Sequence, residues 1–521
     1  FLAGGYLELV GTRFNSAIQR QQVTVAAADK NVEHGLKIII ERGPVTFKCG
    51  STSGGGEYIA ETALATGEHS LAVTPTGDLF LQFSSLTQYK VLVDSIAIES
   101  AGAVTLTAPW KVNDLENLRW DQSADVIFIA CDGFQQRKIE RRGTRSWSLV
   151  KYEPQDGPFR TVNTTTRRMT AAALNGDTTL TASSAFFSAD HVGALFKVTS
   201  IGQKVTLAIN GEAQFTDSIR VVGTGTARIF VILITGTWVA TVTLQRSIDD
   251  KTTFTDVSTF TTNQASVNFD DALANQIAFY RIGVKTGEFT SGTATCTLTY
   301  SGGSIVGYAK VTAFTSTTVV SIAVLKDMGQ TTATDNWAEG VWSELRGFPS
   351  AVALYEGRLF WAGNDTLIGS VSDAFSSFDE ELEGDAAPIN RSIGVGPVDR
   401  INFLLALQRL MVGTESAEFS VRSTTLDEVL TPTNFNIKAA STQGSSPVAA
   451  VKIDARGAYV QRGGFKIYEL SISDLTTLDY ASADLSVLVP DIGDPGFVKM
   501  AVQRQPDTRI HCLRADGTVA V

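Results

Sequence analysis

A repeating unit limits what this chain can fold into more than any single motif does. Five segments share one shape: a strand, a polar tight turn, a short and very apolar strand, a second turn rich in Gly, Asp or Asn, and a third strand. The apolar middle strands are Val126-Ile127-Phe128-Ile129, Leu359-Phe360-Trp361, Leu410-Met411-Val412, Ala458-Tyr459-Val460 and Ile510-His511-Cys512-Leu513. They follow Asp125, Arg358, Arg409, Gly457 and Arg509, and the last four of these anchors are 51, 48 and 52 residues apart. The second turns are Asp132-Gly133, Gly363-Asn364-Asp365, Gly413-Thr414, Gly463-Gly464 and Asp516-Gly517. A period of roughly 50 residues with three or four strands per unit is the mark of β-propeller blades. Coincidental hairpins in an ordinary sandwich are the competing explanation. The return of the same turn chemistry at the same place in each unit favours blades.

Asp125 lies 233 residues before Arg358, which is one period plus an insertion. The expected organisation is an all-β chain, with a propeller-like domain and with N-terminal and inserted β-sandwich domains. Residues 1–110 form an N-terminal β-sandwich region and 111–165 a first blade. Residues 166–310 form an inserted β-rich domain, and 311–521 the remaining blades, incomplete at the C-terminus. Thr, Val, Ile, Phe and Gly dominate, and short alternating runs end at Gly, Asn and Asp turns, as in all-β proteins. The N-terminal strands are expected at 36–40, 45–49, 70–73, 79–83 and 91–99. In the insertion, Trp238, Ala240, Val242 and Leu244 alternate with Thr241, Thr243 and Gln245, the pattern of a half-buried strand. Ile248 to Lys251 fits a hairpin tip. Residues 401–411 read equally well as a helix or as strands. Trp238 and Trp361 read as core.

Lys plus Arg is 43 and Asp plus Glu is 54, a formal charge of −11. That balance argues against a general nucleic-acid binder, which needs a basic face to displace counterions. It is compatible with a wall that DNA slides past without sticking. No apolar run is long enough to span a membrane, and no basic-then-apolar leader is visible. A start at Phe1 and an end in an apolar run at Val521 point to a longer natural chain.

Catalytic constellations are not apparent. The sequence has no nucleophile elbow, no His-Glu-x-x-His and no Walker loop, and Gly50 to Gly56 lacks the Lys-Ser/Thr that grips a phosphate. Cys49, Cys131, Cys296 and Cys512 are far apart, so they read as free thilos of a protein folded in a reducing cytoplasm. His34, His69, His191 and His511 are equally scattered, and neither metal nor cofactor is expected. A Ser-His-Asp triad or a carboxylate pair is not excluded by sequence alone.

Two charged groups stand out. Asp373, Asp379, Glu380, Glu381, Glu383 and Asp385 fall in a polar stretch between blades. They can form a solvated loop, the wall or rim of a channel, or a calcium or catalytic site. Arg137, Lys138, Arg141, Arg142 and Arg145 end the first blade. They suit a solvated hairpin edge, a contact with a neighbouring subunit, or phosphate.

Several segments, in order, resemble one family. They include Leu9-Val10-Gly11-Thr12-Arg13, Asn31 to Leu36, Trp337-x-Glu339-Gly340-x-Trp342-Ser343, Arg346-Gly347-Phe348-Pro349-Ser350 and Glu356 to Gly363. Leu410 to Thr414, Ser441-x-x-Gly444-Ser445, Tyr480-x-x-x-Asp484-Leu485 and Asp507 to Gly517 continue the series. The set resembles the tail tubular protein B, or tail nozzle, family of short-tailed bacteriophages, most strongly over 337–521. The resemblance implies a structural virion-tail subunit, not an enzyme, made and folded in the host bacterial cytoplasm. It implies a homo-hexameric tube, partnered by an adaptor ring and by fibres or spikes, through which genomic DNA passes without sequence recognition. A propeller-based polysaccharide-degrading or glycan-binding tail protein is the alternative.

Overall fold

The computed structural model describes residues 5–99, 105–393, 400–424, 428–474 and 477–521. It is almost entirely β, built from antiparallel sheets with a few short 3-10 turns. Two compact units divide the chain: 1–158 with 340–521, and 159–339.

The first unit opens with a sandwich. Strands Leu7–Leu9, His34–Arg42, Gly67–Val73 and Val91–Glu99 lie in one sheet, and Ala17–Val23, Val45–Gly50, Ile59–Leu64 and Leu79–Ser85 in another. Their inward residues, among them Leu36, Ile38, Phe47, Leu81 and Val91, share one core. The period-two burial of His34–Arg42 and Val45–Gly50 is what two packed sheets demand.

The repeat units are antiparallel meanders. The middle strands Val126–Cys131, Arg358–Gly363, Leu410–Thr414, Arg456–Val460 and Arg509–Arg514 each pair with the strand before and the strand after. Ile389–Ser392, Asn436–Ser441 and Asp479–Asp484 add a fourth strand to the second, third and fourth units. The last unit has three strands. Residues 401–411 hold two strands, Ile401–Ala406 and the start of Leu410–Thr414.

Neighbouring meanders share cores, which explains why the middle strands of the second, third and fourth carry apolar residues on both faces. Leu359 and Trp361 pack with Phe128 and Tyr152 of the preceding unit. Phe360 and Ala362 pack with Ile401, Leu410 and Val412 of the following one. Phe403 and Met411 then meet Tyr459 and Leu470. Ala458 and Val460 meet Phe497, Met500 and Cys512. A strand buried on both faces cannot alternate, and each fully buried large side chain contributes about 1.5–3 kcal/mol.

Three expectations need correction. Gly413-Thr414 is not a turn: both residues lie in a strand, and a Cβ on Gly413 would sit 2.1 Å from the Phe403 ring. The glycine is there because an aromatic ring lies across it. The first meander is not separate from the N-terminal region. Its last strand, Ser146–Lys151, pairs with Gly67–Val73, so 119–151 continue one eight-stranded sheet. The inserted unit is wider than 166–310, running from 159 to 339.

That second unit is organised by long strands. Leu195–Ile209, Phe230–Ser247 and Ala278–Ser316 each cover what the sequence shows as separate pieces. Ala278–Ser316 runs through two cores, one around Ile232, Leu244, Tyr280 and Leu298, the other around Phe196, Val311, Ile322 and Trp337. The expected solvent face of the Trp238 strand is in part buried: Thr243 is 0% and Gln245 7% exposed, under a polar network. Trp238 is only half-buried, its Nε1 donating to Asn263 Oδ1 at 2.7 Å, whereas Trp361 is fully buried.

Candidate functional site

The acidic stretch is not between meanders but inside one. It connects the third strand of the second meander, Thr366–Gly369, to the fourth, Ile389–Ser392. Arg358, 2% exposed, holds both ends of this loop through backbone carbonyls. Its Nη1 donates to Ser370 O and Ala387 O, both at 2.7 Å, and its Nη2 to Asp385 O. Asp156 accepts from Ser377 Oγ at 2.5 Å and Phe378 N at 2.9 Å, and the Phe378 ring is buried against Trp342. The loop is therefore tied down while its carboxylates point outward. Asp373, Glu380, Glu381, Glu383 and Asp385 are exposed and Asp379 is half-buried. No metal-holding group of His, Cys, Asp and Glu exists among the described residues.

The basic group lies on strand Phe134–Gly143 and the turn after it, and it finds partners within its own chain. Lys138 and Arg142 both pair with Glu140, at 2.9 and 2.6 Å. Arg142 also donates to Ser148 Oγ and Thr62 Oγ1. Arg141 meets Asp125 at 3.2 Å and Arg145 meets Glu33 at 2.6 Å. Arg137 is half-buried, and burial holds its guanidinium below the usual range. The structure does not bring the acidic and basic groups together as one site.

The histidines are equally separate. His69 is buried against Ser148 Oγ (2.8 Å) and Ala65 O, and burial pulls its imidazole down to about 4, so it stays neutral. His191 lies between Ser188 and Glu339, with Ser188 Oγ 3.1 Å from Nδ1 and Glu339 Oε1 3.6 Å from Nε2. The outline is that of a hydrolase triad, yet the Ser188 backbone N–H donates to the same Nδ1 at 3.0 Å. Ser188 caps a one-turn helix over residues 189–191, so a capping box accounts for the contact. The four cysteines are buried free thiols, and burial pushes Cys49 and Cys296 up to about 12. None is poised as a thiolate nucleophile.

Three family-like segments, around Trp342, Arg346–Pro349 and Trp361–Gly363, do meet at one pocket of about 40 Å³. That is room for a water or two rather than a sugar or nucleotide.

What sequence reasoning missed is the role of its own motifs. Ser350 Oγ donates to Ile401 O at 2.6 Å, and Asn402 Nδ2 to Ser445 O at 2.9 Å. These are latches between the entry ends of successive meanders. Ser445 Oγ also donates to Thr414 O at 2.9 Å, and Gly444, at φ +73°, lets this turn touch Glu415 O. Ser441 Oγ donates to Glu418, a carboxylate that is 0% exposed. Burial pushes the Glu418 carboxyl above its ordinary range, against hydrogen bonds from the Ser441 and Tyr459 hydroxyls and from backbone N–H groups. A folded carboxyl that keeps its proton to higher pH costs stability as pH rises through that window. Glu418→Gln should therefore raise the melting temperature at pH 7.5, and the gain should vanish near pH 4, where Glu418 is itself protonated. An unchanged melting curve at pH 7.5 would remove the strain from this node.

No family model matches the chain, and no curated protein matches it. Solved structures with partial likeness include a lectin from Pleurotus ostreatus in complex with GalNAc, at 11% identity over 65% of this chain and 80% of that one, TM-score 0.13. An IolB-like protein from Salmonella typhimurium LT2 shows 7% identity over 55% and 82%, TM-score 0.11. Vicilin from Corylus avellana shows 6% identity over 58% and 83%, TM-score 0.09. Likeness at this level carries neither fold nor ligand. No helix among the described residues is long and apolar enough to cross a membrane.

Proposed function

We propose that this chain is a structural subunit of a bacteriophage tail tube, not an enzyme, and that its stacked meanders form a propeller-like domain. In this reading six copies form a ring that joins an adaptor above and fibres or spikes around it, and genomic DNA leaves through the lumen. One observation supports the reading best: the motif residues Ser350, Arg358, Gly444 and Ser445 serve as latches between meanders or anchors of one long loop. Stacked β-modules with shared cores suit a ring closed by rotational symmetry. The exposed carboxylates of the 370–388 loop suit a surface that repels passing DNA through weak, salt-screened repulsion.

The test has two parts. Native mass measurement of the purified protein or particle should give a six-copy ring; a monomer that turns over polysaccharide would overturn the reading. Replacing Glu380, Glu381 and Glu383 together with Lys should leave assembly intact and slow DNA release at low salt. Release at the normal rate would remove the loop from the lumen while leaving the ring untouched.

A further inference from the structure

In the second unit a guanidinium is held flat between two aromatic rings with its outer edge unused. Arg281 rises from strand Ala278–Ser316 on the same face as Gly283 and Lys285. Phe215, on the neighbouring strand Gln214–Phe215, pairs with Gly283 on one side. Phe254, just before strand Thr255–Phe260, reaches in from the other side, beyond Gln245. The Arg281 Cζ lies 4.4 Å from the Phe215 ring centre and 3.8 Å from that of Phe254. Gly283 makes the clamp possible, because a Cβ there would sit 2.4 Å from Phe215 Cδ1.

The long edge of the fork is already fixed. Arg281 Nε donates to Gln245 Oε1 at 2.9 Å, and Gln245 Nε2 donates to Asp256 Oδ1 at 2.9 Å. Asp256 is in turn neutralised by Lys285 at 2.7 Å, which also meets Glu288 at 3.1 Å. So Asp256 and Glu288 are engaged by Lys285, not by Arg281. Among the described residues, the Nη1 and Nη2 groups of Arg281 have no protein acceptor. The side chain is half-buried, which lowers the cost of desolvating it again when a ligand arrives.

We infer that Arg281 is the receptor for a carboxylate, taken end-on by Nη1 and Nη2 in the slot between Phe215 and Phe254. A guanidinium fork matches a carboxylate with two parallel N–H···O bonds. The aromatic walls restrict approach to the guanidinium plane. A planar carboxylate lies in that plane, whereas a tetrahedral sulfate or phosphate must direct oxygens out of it, towards the rings. Cation–π contact on both faces holds the group in place before binding. This site is independent of the tail-tube reading, since it needs neither a ring nor DNA.

The carboxylate can belong to a small acid or to an acidic sugar, and ligand-observed NMR on the full chain separates the two. Acetate and glucuronate are the probes, with inorganic sulfate as competitor at matched ionic strength. Both acids should bind, and sulfate should fail to displace them. Glucuronate binding more tightly than acetate assigns an acidic sugar, and equal affinity assigns the bare carboxylate. Arg281→Lys, which keeps the charge and loses the fork, should weaken both about tenfold, as for one charge-assisted hydrogen bond. Equal binding by Arg281→Lys would overturn the assignment. So would displacement of acetate by sulfate on the unaltered protein, a result that needs no variant to fold.

Discussion

Trp361→Ala should destabilise the first unit by about 3–5 kcal/mol, the cost of deleting a large buried aromatic side chain. Trp361 is 0% exposed and joins the first and second meanders through ring contacts. Its centroid lies 4.9 Å from Tyr152, 6.4 Å from Trp342 and 6.5 Å from Phe128. Two effects then set the size of the loss. The contacts to Phe128 and Tyr152 disappear, and Tyr152 keeps its ring contacts to Phe128 and Trp342 and its hydroxyl bond to Phe375 O at 2.6 Å. The hole left behind joins the small pocket beside Trp342, so water can enter and the cavity is not empty, which favours the lower end of the range. At roughly 2 °C per kcal/mol for a large domain, the unfolding transition should fall by about 6–10 °C. Trp361→Phe should recover part of that. A melting temperature within a degree of the parent for Trp361→Ala would mean that the first two meanders do not depend on each other.

The same residue shows why part of this fold can be read from sequence. Leu359, Phe360 and Trp361 alternate between two neighbours, so both parities are apolar, and the strand appears as a continuous hydrophobic run. The middle strands of the second, third and fourth meanders were legible for that reason. Their outer strands were not. Ile389–Ser392 and Asn436–Ser441 are mostly exposed and polar, and nothing in their composition separates them from loop. Missing the first of these moved the acidic stretch from within a meander to between two. Residues 401–411 were ambiguous because an apolar run has no period when both strand faces are buried. The break at Gln408-Arg409, where Leu407 N donates to Arg409 O at 3.0 Å, decides it. The limits of the second unit were hidden as well. Phe159 stacks on Tyr308 at 5.3 Å, a contact across more than a hundred residues that no local pattern signals. Of the charged groups, sequence could place like residues together but could not show their partners. Glu140 and Glu33 neutralise much of a group that reads as a free basic edge. Arg281 gave no signal at all, since its clamp is assembled from segments that are far apart in the sequence.

Asp271→Ala should unfold the second unit more readily than any surface change, by about 3–5 kcal/mol, because it strands a buried charge. Arg228 and Asp271 are both 0% exposed at their side chains. They form a two-point pair, Nε to Oδ1 at 2.7 Å and Nη2 to Oδ2 at 2.6 Å. Tyr280 Oη donates to Asp271 Oδ2 at 2.9 Å, and Arg228 Nη1 donates to Gln276 O at 2.7 Å, so the pair closes the loops on either side of it. Burial pulls the Asp271 carboxyl up, but the Arg228, Leu273 and Tyr280 hydrogen bonds and the Arg228 charge pull it further down, below the ordinary range. A lowered carboxyl contributes stability that is present above its unfolded pKa and is lost as pH falls through the folded one. The parent should therefore lose stability in acid, while Asp271→Ala, having lost the pair already, should show a flatter profile below pH 4. Asp271→Asn should cost nearly as much as Asp271→Ala, since shape is kept and only the charge is missing. Replacing both partners, Arg228→Met with Asp271→Leu, should cost less than Asp271→Ala alone, because no charge is left to desolvate, although Tyr280 Oη and Gln276 O give up their partners. Calorimetric unfolding of the four proteins from pH 3 to pH 8 measures all of this. If the double variant is as unstable as Asp271→Ala, the cost lies in lost packing, and the charge pair is not what holds these loops together.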